Sequence, residues 1–308
     1  MIKKVTVINY LGESLEMPLE NPYDCGFAIC SISGLGPVKA NINTTDLATD
    51  DGSVFNSARA LKRNITMSLK FFESSQRTVE DVRQSSYRYF PLKKPLTLIV
   101  ETDNRLAYCT GYVESNEPDI FSSDERANIS IICPDPWFYE YGGSGGTIEI
   151  FSNIHALFEF EFPSIEGQDE LEFGEYDDSS SGVLNYEGDV EVGAIITMHM
   201  LGNATGIEIF NNTTHQLMSI NTDVIATIMA DHGGALKAAD DIIICTEPGR
   251  KGATLRRGGF DYNILNALGI NSDWIYLVRG GNLLGFNASS GEENIQMTVE
   301  SEMAYEGV

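Results

Sequence analysis

The sequence predicts a mainly β protein of two domains: an N-terminal α+β sheet domain with one helix and a hairpin, and a C-terminal antiparallel β-sandwich. Three observations lead to this fold class. Apolar and polar residues alternate in many short segments, one segment of the first half has helical periodicity, and residues 142–146 are almost all glycine. A chain of 308 residues also exceeds one ordinary hydrophobic core. We therefore expect domains at 1–141 and 147–308, joined by a flexible linker at 142–146.

The first domain is expected to open with a strand at residues 2–10, where apolar and polar side chains alternate. Glycines and prolines divide Pro18–Pro37 into short pieces, and Asn43–Ser57 is a polar segment with a D-D-G turn signal. The clearest strand of the chain follows at Asn64–Phe71, which has one apolar and one polar face.

One helix is predicted in this half, at Thr78–Phe90. Thr78 and Asp81 have the spacing of a capping box, and a proline directly after the segment ends it. A hairpin follows, with strands at Leu96–Val100 and Leu106–Val113 around an Asp-Asn turn.

The last strand of the first domain is predicted at Asn128–Cys133. Pro134 and Pro136 stop it, because proline cannot donate a hydrogen bond to a sheet. An aromatic cluster at residues 137–141 follows and precedes the glycine-rich linker, so this stretch marks the boundary between the domains.

The second domain has a strand pattern throughout. Roughly ten short strands separated by turn signals predict an antiparallel sandwich, and the lack of alternating strands and helices excludes a nucleotide-binding parallel sheet. The strands with the clearest apolar pattern are Phe158–Phe162, Val192–Leu201, Ile207–Phe210, Ile242–Cys245, Ala253–Leu255 and Ile295–Val299.

The charge of the chain argues against several classes of partner. The net charge is −25, and residues 146–308 carry 26 Asp and Glu against 6 Lys and Arg. Such a surface is repelled by phosphate backbones and by anionic membranes. The sequence therefore disfavours nucleic-acid and lipid binding. No apolar span of 18 residues and no signal peptide is predicted.

The sequence contains no recognisable catalytic motif. The five cysteines include no C-x-x-C pair, so we expect no metal site and no disulfide framework, and three of them lie in apolar strands as buried thiols. The four histidines are scattered, and His199 is interpreted as a satisfied strand histidine. We expect neither a catalytic residue nor a cofactor.

Two features of the second half leave alternatives open. The acidic loop Glu166–Ser181 is interpreted as solvated, with a calcium site or a glycosidase carboxylate pair as alternatives. Trp274 is interpreted as a core residue, with sugar stacking as its alternative.

Several tracts occur in a familiar order. They are R-N-I-T-M-S-L-K-F at 63–71, the helix ending in P-L-K-K-P-L, G-Y-V-E-S-N-E-P-D-I-F-S at 111–122, and I-S-I-I-C-P-D-P-W-F at 129–138. In this order they resemble the N-terminal domain of the distal tail proteins of long-tailed phages. The second half, with N-Y-E-G-D-V-E-V at 185–192 and T-E-P-G-R-K-G-A-T at 246–254, resembles the galectin-like sandwich of that family.

The resemblance implies a structural phage tail component at the virion tail tip, not an enzyme. Six copies would close a ring that joins the tail tube protein to a tail-associated hub or lysin protein and anchors a receptor-binding protein, with DNA only in transit and no membrane partner. Candidate interface residues are Phe71, Phe72, Tyr87, Tyr89 and Trp137, and a core role for each is the alternative. The competing hypothesis is a carbohydrate-binding sandwich that recognises a host cell-wall polysaccharide.

Overall fold

The computed structural model describes residues 1–48, 51–73, 77–122, 124–142 and 180–308, with the backbone of short strands at 147–152, 154–155 and 175–176. The described part of the chain is mostly β-strand with two α-helices, which confirms the predicted mainly β fold class. The chain forms two compact units, Met1–Gly143 with Ala304–Val308, and Ser144–Met303.

The first unit is built around one sheet, a separate hairpin and a helix. Its elements are β1 (Ile2–Asn9), β2 (Ser14–Pro18), β3 (Phe27–Ser33), β4 (Ala40–Asp46), β5 (Ser53–Ala60), β6 (Arg63–Phe71), α1 (Val79–Tyr89), β7 (Pro95–Thr102), β8 (Leu106–Pro118), β9 (Arg126–Cys133), β10 (Phe138–Glu140) and β25 (Ala304–Tyr305). The sheet has the order β2-β1-β7-β8-β9-β6-β3, while β10 pairs with both β8 and β25. Strands β4 and β5 pair only with each other within the described residues.

The long strand β8 joins the two halves of this sheet. Its first part pairs with β7, its second part pairs with β9, and the register shifts between Val113 and Ser115. Such a bulge bends the strand and increases its twist. Buried residues from both halves of the sheet form one core, in which Val5, Leu98, Ile65 and Ile131 are fully buried.

The helix α1 begins where the sequence predicts. The Thr78 hydroxyl accepts a hydrogen bond from the Asp81 backbone N–H, and the Asp81 carboxylate accepts one from the Thr78 backbone N–H. The helix ends at Phe90, whose N–H donates to the Ser86 carbonyl. Val82 is fully buried and joins α1 to the core.

The second unit is a β-sandwich with one short helix. Its elements are β11 (Thr147–Ser152), β12 (Ile154–His155), β13 (Glu175–Tyr176), β14 (Ser181–Tyr186), β15 (Val192–Gly193), β16 (Ile195–Met200), β17 (Thr205–Asn211), β18 (Gln216–Ile220), α2 (Thr222–Ile228), β19 (Asp241–Cys245), β20 (Gly252–Arg257), β21 (Phe260–Asn263), β22 (Tyr276–Leu277), β23 (Gly280–Ser290) and β24 (Ile295–Ser301). Single turns of 3₁₀ helix lie at 230–232, 265–267 and 292–294.

Two sheets make up the body of the second unit. One has the order β11-β24-β16-β19-β20-β21 and the other has the order β14-β23-β17-β18. Their apolar residues form a single core, in which Ile196, Ile244, Ile209 and Phe286 are fully buried. The strand pairings among the described residues of this unit are antiparallel, as the sequence predicts.

The predicted strand Val192–Leu201 is interrupted at Ala194, where the chain changes partners. β15 pairs with β22, whereas β16 pairs with β19 and β24. At the break, a Cβ on Gly193 would lie 2.5 Å from the Glu247 backbone nitrogen, so the chain can pass here only as glycine. The Ala194 N–H donates to the Thr246 hydroxyl, 2.7 Å away.

The second unit also differs from the all-strand prediction at α2. Asn221 caps this helix by accepting hydrogen bonds from the N–H groups of Asp223 and Val224. Asparagine is a favoured cap residue, and Asp223 in the first turn adds a favourable charge.

Three sequence predictions lie outside the described residues. They are the strand at 158–162, most of the acidic loop at 166–181, and linker residues 143–146.

Candidate assembly surfaces

The buried side chain of Arg63 binds the C-terminal segment, residues 304–308, within the first unit. Arg63 is 1% exposed and donates from Nε to the Pro136 carbonyl at 2.7 Å and from Nη2 to the Glu306 carbonyl at 2.7 Å. Its Nη1 donates to the carbonyls of Gly34 and Gly36. Burial lowers the pKa of the Arg63 guanidinium, and the backbone carbonyls compensate for the lost water.

A second arginine holds the same segment. Arg105 Nη1 donates to the Gly307 carbonyl at 2.8 Å, and its guanidinium lies 4.2 Å from the centre of the Tyr305 ring. Strand β25 pairs with β10 through Phe138 and Tyr139. Residues 304–308 are therefore part of the first unit, although they follow the second unit in the chain.

The hairpin of β4 and β5, which we name the arm, is the most exposed element of the first unit. Every residue of β5 is exposed, and β4 is exposed apart from Asn41. The arm nevertheless carries large apolar side chains, since Ile42 is 60%, Val54 50% and Phe55 63% exposed. An isolated two-stranded hairpin is only marginally stable in water.

Sequence reasoning treated the arm as a polar turn segment. Its turn signal was recognised, but apolar residues are too few and too scattered in it to give a strand pattern. The regular pairing of Ala40 with Ala60 and Ile42 with Ala58 shows that it is a hairpin.

A shallow groove of about 250 Å³ lies at the base of the arm. We name it the basal groove, and its walls include Pro37, Val38, Ala58, Arg59, Ala60 and Trp137. This volume is below the roughly 300–1,000 Å³ of typical small-molecule pockets. The groove suits a single protruding side chain better than a small-molecule ligand.

The base and the tip of the arm differ in charge. Lys39, Arg59 and Lys62 are exposed at the base and form no ion pair within the described residues. Asp46 and Asp51 lie near the tip, beside Val54 and Phe55. The arm therefore has a basic end and an acidic, apolar end.

The structure places the five predicted interface residues in different surroundings. Phe71 is 3% exposed and belongs to the core, and Tyr89 packs against the same core. Phe72 lies in edge contact with Tyr23, with ring centres 5.1 Å apart. Tyr87 is 46% exposed on α1. Trp137 lines the basal groove.

One face of the folded sheet is rich in hydroxyl and amide groups. The Ser33 and Thr66 hydroxyls are 2.6 Å apart, and the Ser130 hydroxyl lies 3.0 Å from Asn64 Oδ1 and 2.8 Å from Glu114 Oε2, to either of which it can donate. These side chains stand on neighbouring strands β3, β6, β9 and β8. They make a surface of short, mostly uncharged side chains.

A polar row crosses the six-stranded sheet of the second unit. Gln296, His199, Asp241, Arg256 and Asp261 are directly opposite one another on five successive strands. His199 Nδ1 lies 2.6 Å from Asp241 Oδ1, and Arg256 Nε donates to Asp261 Oδ1 at 2.8 Å. His199 is a satisfied strand histidine, as predicted.

The inner side of the second unit holds a buried ion pair. Arg257 donates from Nε to Asp240 Oδ1 at 2.8 Å, and Asp240 is 1% exposed. The hydrogen bond to Asp240 raises the pKa of Arg257. Trp274 packs partly buried against the core, with the Lys251 ammonium 5.3 Å from the ring centre.

The described residues provide few groups for metal binding or for thiol chemistry. They contain no cluster of three metal-ligating side chains, and all five cysteines are free. Cys109 and Cys133 are buried with their sulfurs 3.8 Å apart, and this hydrogen bond together with burial raises the pKa of Cys109, so that its thiol stays protonated. No described helix is long and apolar enough to span a bilayer.

Comparison with known proteins gives a structural match without a sequence match. No family model and no curated protein matches the chain. Among solved structures, the Dit protein of phage SPP1 superposes with a TM-score of 0.62 at 13% identity, over 97% of this chain and 99% of that one. The chain has the distal tail protein fold. That SPP1 structure is described as a paradigm of the hub adsorption apparatus in phages infecting Gram-positive bacteria.

The family resemblance expected from the sequence is thus confirmed as a likeness to the Dit fold. Two baseplate structures of phage P2, in an activated conformation with calcium or strontium, give TM-scores of 0.48 at 13% and 12% identity. They cover 100% of both chains and 97% of both chains, respectively. Both scores lie below 0.5, so these structures add nothing to the match with SPP1 Dit.

Proposed function

We propose that this chain is the distal tail hub of a long-tailed phage, a structural protein of the virion tail tip. Copies of it, six in number, form a ring that joins the tail tube to the tail-tip proteins and anchors the receptor-binding protein. The observation that supports this proposal most directly is the match to SPP1 Dit over 97% of this chain and 99% of that one.

The surfaces of the first unit support a role in assembly. A ring requires two different, complementary surfaces on each copy. The arm and the basal groove are two different exposed surfaces of the first unit, which could serve this purpose.

The hydroxyl-rich face supports passage of DNA through the ring. DNA-binding surfaces neutralise phosphates with Lys and Arg. The groove on this face is lined instead by Ser31, Thr66, Ser68, Asn128 and Ser130, among others. Facing the channel, these side chains would let DNA pass without holding it.

The mass of the full-length protein in solution tests the proposal. Light scattering at micromolar concentration is expected to give about six times the monomer mass of 33.9 kDa, and negative-stain images are expected to show rings. A strictly monomeric protein over this range would contradict the proposed function.

A second candidate function is recognition of a cell-wall polysaccharide by the second unit. The polar row supports it, because five side chains across one sheet offer fixed donors and acceptors to a sugar. Binding of the full-length protein on a glycan array, abolished by His199→Ala together with Arg256→Ala, would favour this candidate.

A further inference from the structure

Two buried cysteines face each other between neighbouring strands of the first unit. Cys109 lies on β8 and is 1% exposed, and Cys133 is the last residue of β9 and is fully buried. Their sulfurs are 3.8 Å apart and form a thiol hydrogen bond. A disulfide has its sulfurs about 2.05 Å apart, so an approach of about 1.8 Å would join the two. The two side chains are therefore already directed at each other.

Gly111 leaves the space between the two sulfurs open. Tyr112 lies opposite Ile132, so the residues next to them, Gly111 and Cys133, are neighbours across the two strands. A Cβ on Gly111 would lie 2.8 Å from Cys133 Sγ, which is too close for two bonded side chains. Cys109 precedes Gly111 by two positions and therefore points to the same face of β8. Because Gly111 has no side chain, Cys133 Sγ can lie over the β8 backbone and reach Cys109.

The surroundings make the two sulfurs chemically different. Arg63 lies directly opposite Cys133 on β6. The hydrogen bond with Cys109 and the charge of Arg63 lower the pKa of Cys133, although burial acts in the opposite direction. The same hydrogen bond, together with burial, raises the pKa of Cys109. Since the thiolate is the reactive form of cysteine, Cys133 is the nucleophile of the pair and Cys109 is the thiol that stays protonated beside it.

We propose that Cys109 and Cys133 form an intramolecular disulfide when the folded protein meets a peroxide. The Cys133 sulfur attacks one oxygen of hydrogen peroxide, the O–O bond breaks, and the departing hydroxide takes up the proton that Cys133 had released. The Cys109 sulfur then attacks the sulfenic acid on Cys133. The S–S bond forms, the S–O bond breaks, and the hydroxyl leaves with the Cys109 proton as water. Two thiols and one peroxide thus give one disulfide and two waters, and the two electrons lost by the sulfurs reduce the peroxide.

The disulfide ties β8 to β9 next to the place where residues 304–308 are held. Cys133 is followed by the turn of which the Pro136 carbonyl accepts a hydrogen bond from Arg63 Nε at 2.7 Å, and the same guanidinium binds the Glu306 carbonyl. The bond also closes the chain segment 109–133 into a loop, which lowers the entropy of the unfolded state. Oxidation therefore stabilises the first unit. This inference goes beyond the proposed function and does not depend on it.

Peptide mapping of the full-length protein tests the proposal. The reduced protein is treated with a small molar excess of hydrogen peroxide at neutral pH, its remaining thiols are alkylated, and its peptides are analysed by mass spectrometry. We expect a peptide containing Cys109 to be joined to a peptide containing Cys133, with a mass two hydrogens below that of the two reduced peptides. Dithiothreitol should separate them. Cys30→Ala is the matched control, since Cys30 is exposed and lies outside the pair, and this variant should form the same link.

Thermal unfolding gives a second measurement. In the original protein and in Cys30→Ala, peroxide should raise the unfolding temperature of the first unit by roughly 5 to 10 °C. Cys109→Ala lacks the second sulfur and should show no such rise, whatever its stability before treatment.

The state of the two thiols decides the outcome. Cys109 and Cys133 that both remain alkylatable in the peroxide-treated, folded protein would overturn the inference. A link that forms only in denaturant, or links from either residue to a different cysteine, would overturn it as well. The solution mass of the protein has no part in this test, so a failure here leaves the hub proposal intact.

Discussion

The two ion pairs of β20 show how burial determines the contribution of an ion pair to stability. Arg257 and its neighbour Arg256 both pair with an aspartate, but Asp240 is 1% exposed whereas Asp261 and Arg256 are about half exposed. An exposed pair contributes little because water and salt screen it. A buried charge that loses its partner is left without solvent or counter-charge.

We therefore expect Asp240→Asn to lower the free energy of unfolding of the second unit by about 3 kcal/mol. Asp261→Asn, which breaks the adjacent exposed pair, should leave the free energy of unfolding nearly unchanged. Chemical denaturation followed by circular dichroism measures both. Equal effects of the two substitutions would contradict the role assigned to burial.

The inward position of Arg63 can be predicted from the sequence, but its hydrogen-bond partners cannot. It has the same parity as Ile65, Met67, Leu69 and Phe71, so the alternation of β6 places it on the inward face. A charged residue at an inward position is expected outside unless it has partners. Those partners are carbonyls up to 243 positions away in the chain, which no local pattern reveals.

At the level of elements, the N-terminal cap of α1 should contribute measurably to the stability of the first unit. The Thr78 hydroxyl and the Asp81 carboxylate each satisfy a backbone N–H that the helix leaves unpaired. Thr78→Ala is expected to lower the free energy of unfolding of the first unit by about 1 kcal/mol, and Thr78→Ser should retain most of it. A full loss in Thr78→Ser would show that the methyl group, not the hydroxyl, matters.

The same cap should make the stability of the first unit depend on pH in a direction that the pKa of Asp81 determines. Hydrogen bonds from the backbone and hydroxyl of Thr78 lower the pKa of Asp81 below its usual value of 3.8. The stabilisation is therefore fully present above that value and is lost as the pH falls through the lower pKa of the folded state. The difference in stability between the original protein and Asp81→Asn should shrink on acidification from pH 7 to pH 2.

Elements were predictable wherever their pattern is local. The alternation of β6 and β9, the capping box of α1 and the Asp-Asn hairpin turn are written in a few adjacent residues, and each was found. The break at Ala194 was missed because an apolar run does not reveal which strand it pairs with. The arm was missed for the converse reason, since its pairing lacks an apolar pattern.

At the scale of the whole molecule, the last five residues should stabilise the first unit, not the second. Deleting residues 304–308 removes the strand partner of Phe138 and Tyr139 and the carbonyls that Arg63 and Arg105 bind. We expect the free energy of unfolding of the first unit to fall by about 3 kcal/mol, since buried donors lose acceptors.

Calorimetry of the full chain can assign this loss. The transition that Asp240→Asn shifts belongs to the second unit, and the deletion should leave it in place. Glu306→Ala is the matched control, because only the backbone carbonyl of Glu306 binds Arg63, and it should unfold as the original protein does. A deletion that shifts the second transition instead would contradict the anchoring described for residues 304–308.

Because residues 304–308 belong to the first unit, the chain connects the two units at both ends of the second unit. One connection runs through the residues after 142. The other runs through residues 304–308, which Arg63 and Arg105 hold in the first unit by hydrogen bonds. A protease that cuts once between residues 142 and 147 would yield two fragments on a denaturing gel. Under native conditions the two fragments are expected to co-elute in size-exclusion chromatography, because β25 of the larger fragment pairs with β10 of the smaller one. One such nick would therefore not release the second unit from the first while the first stays folded.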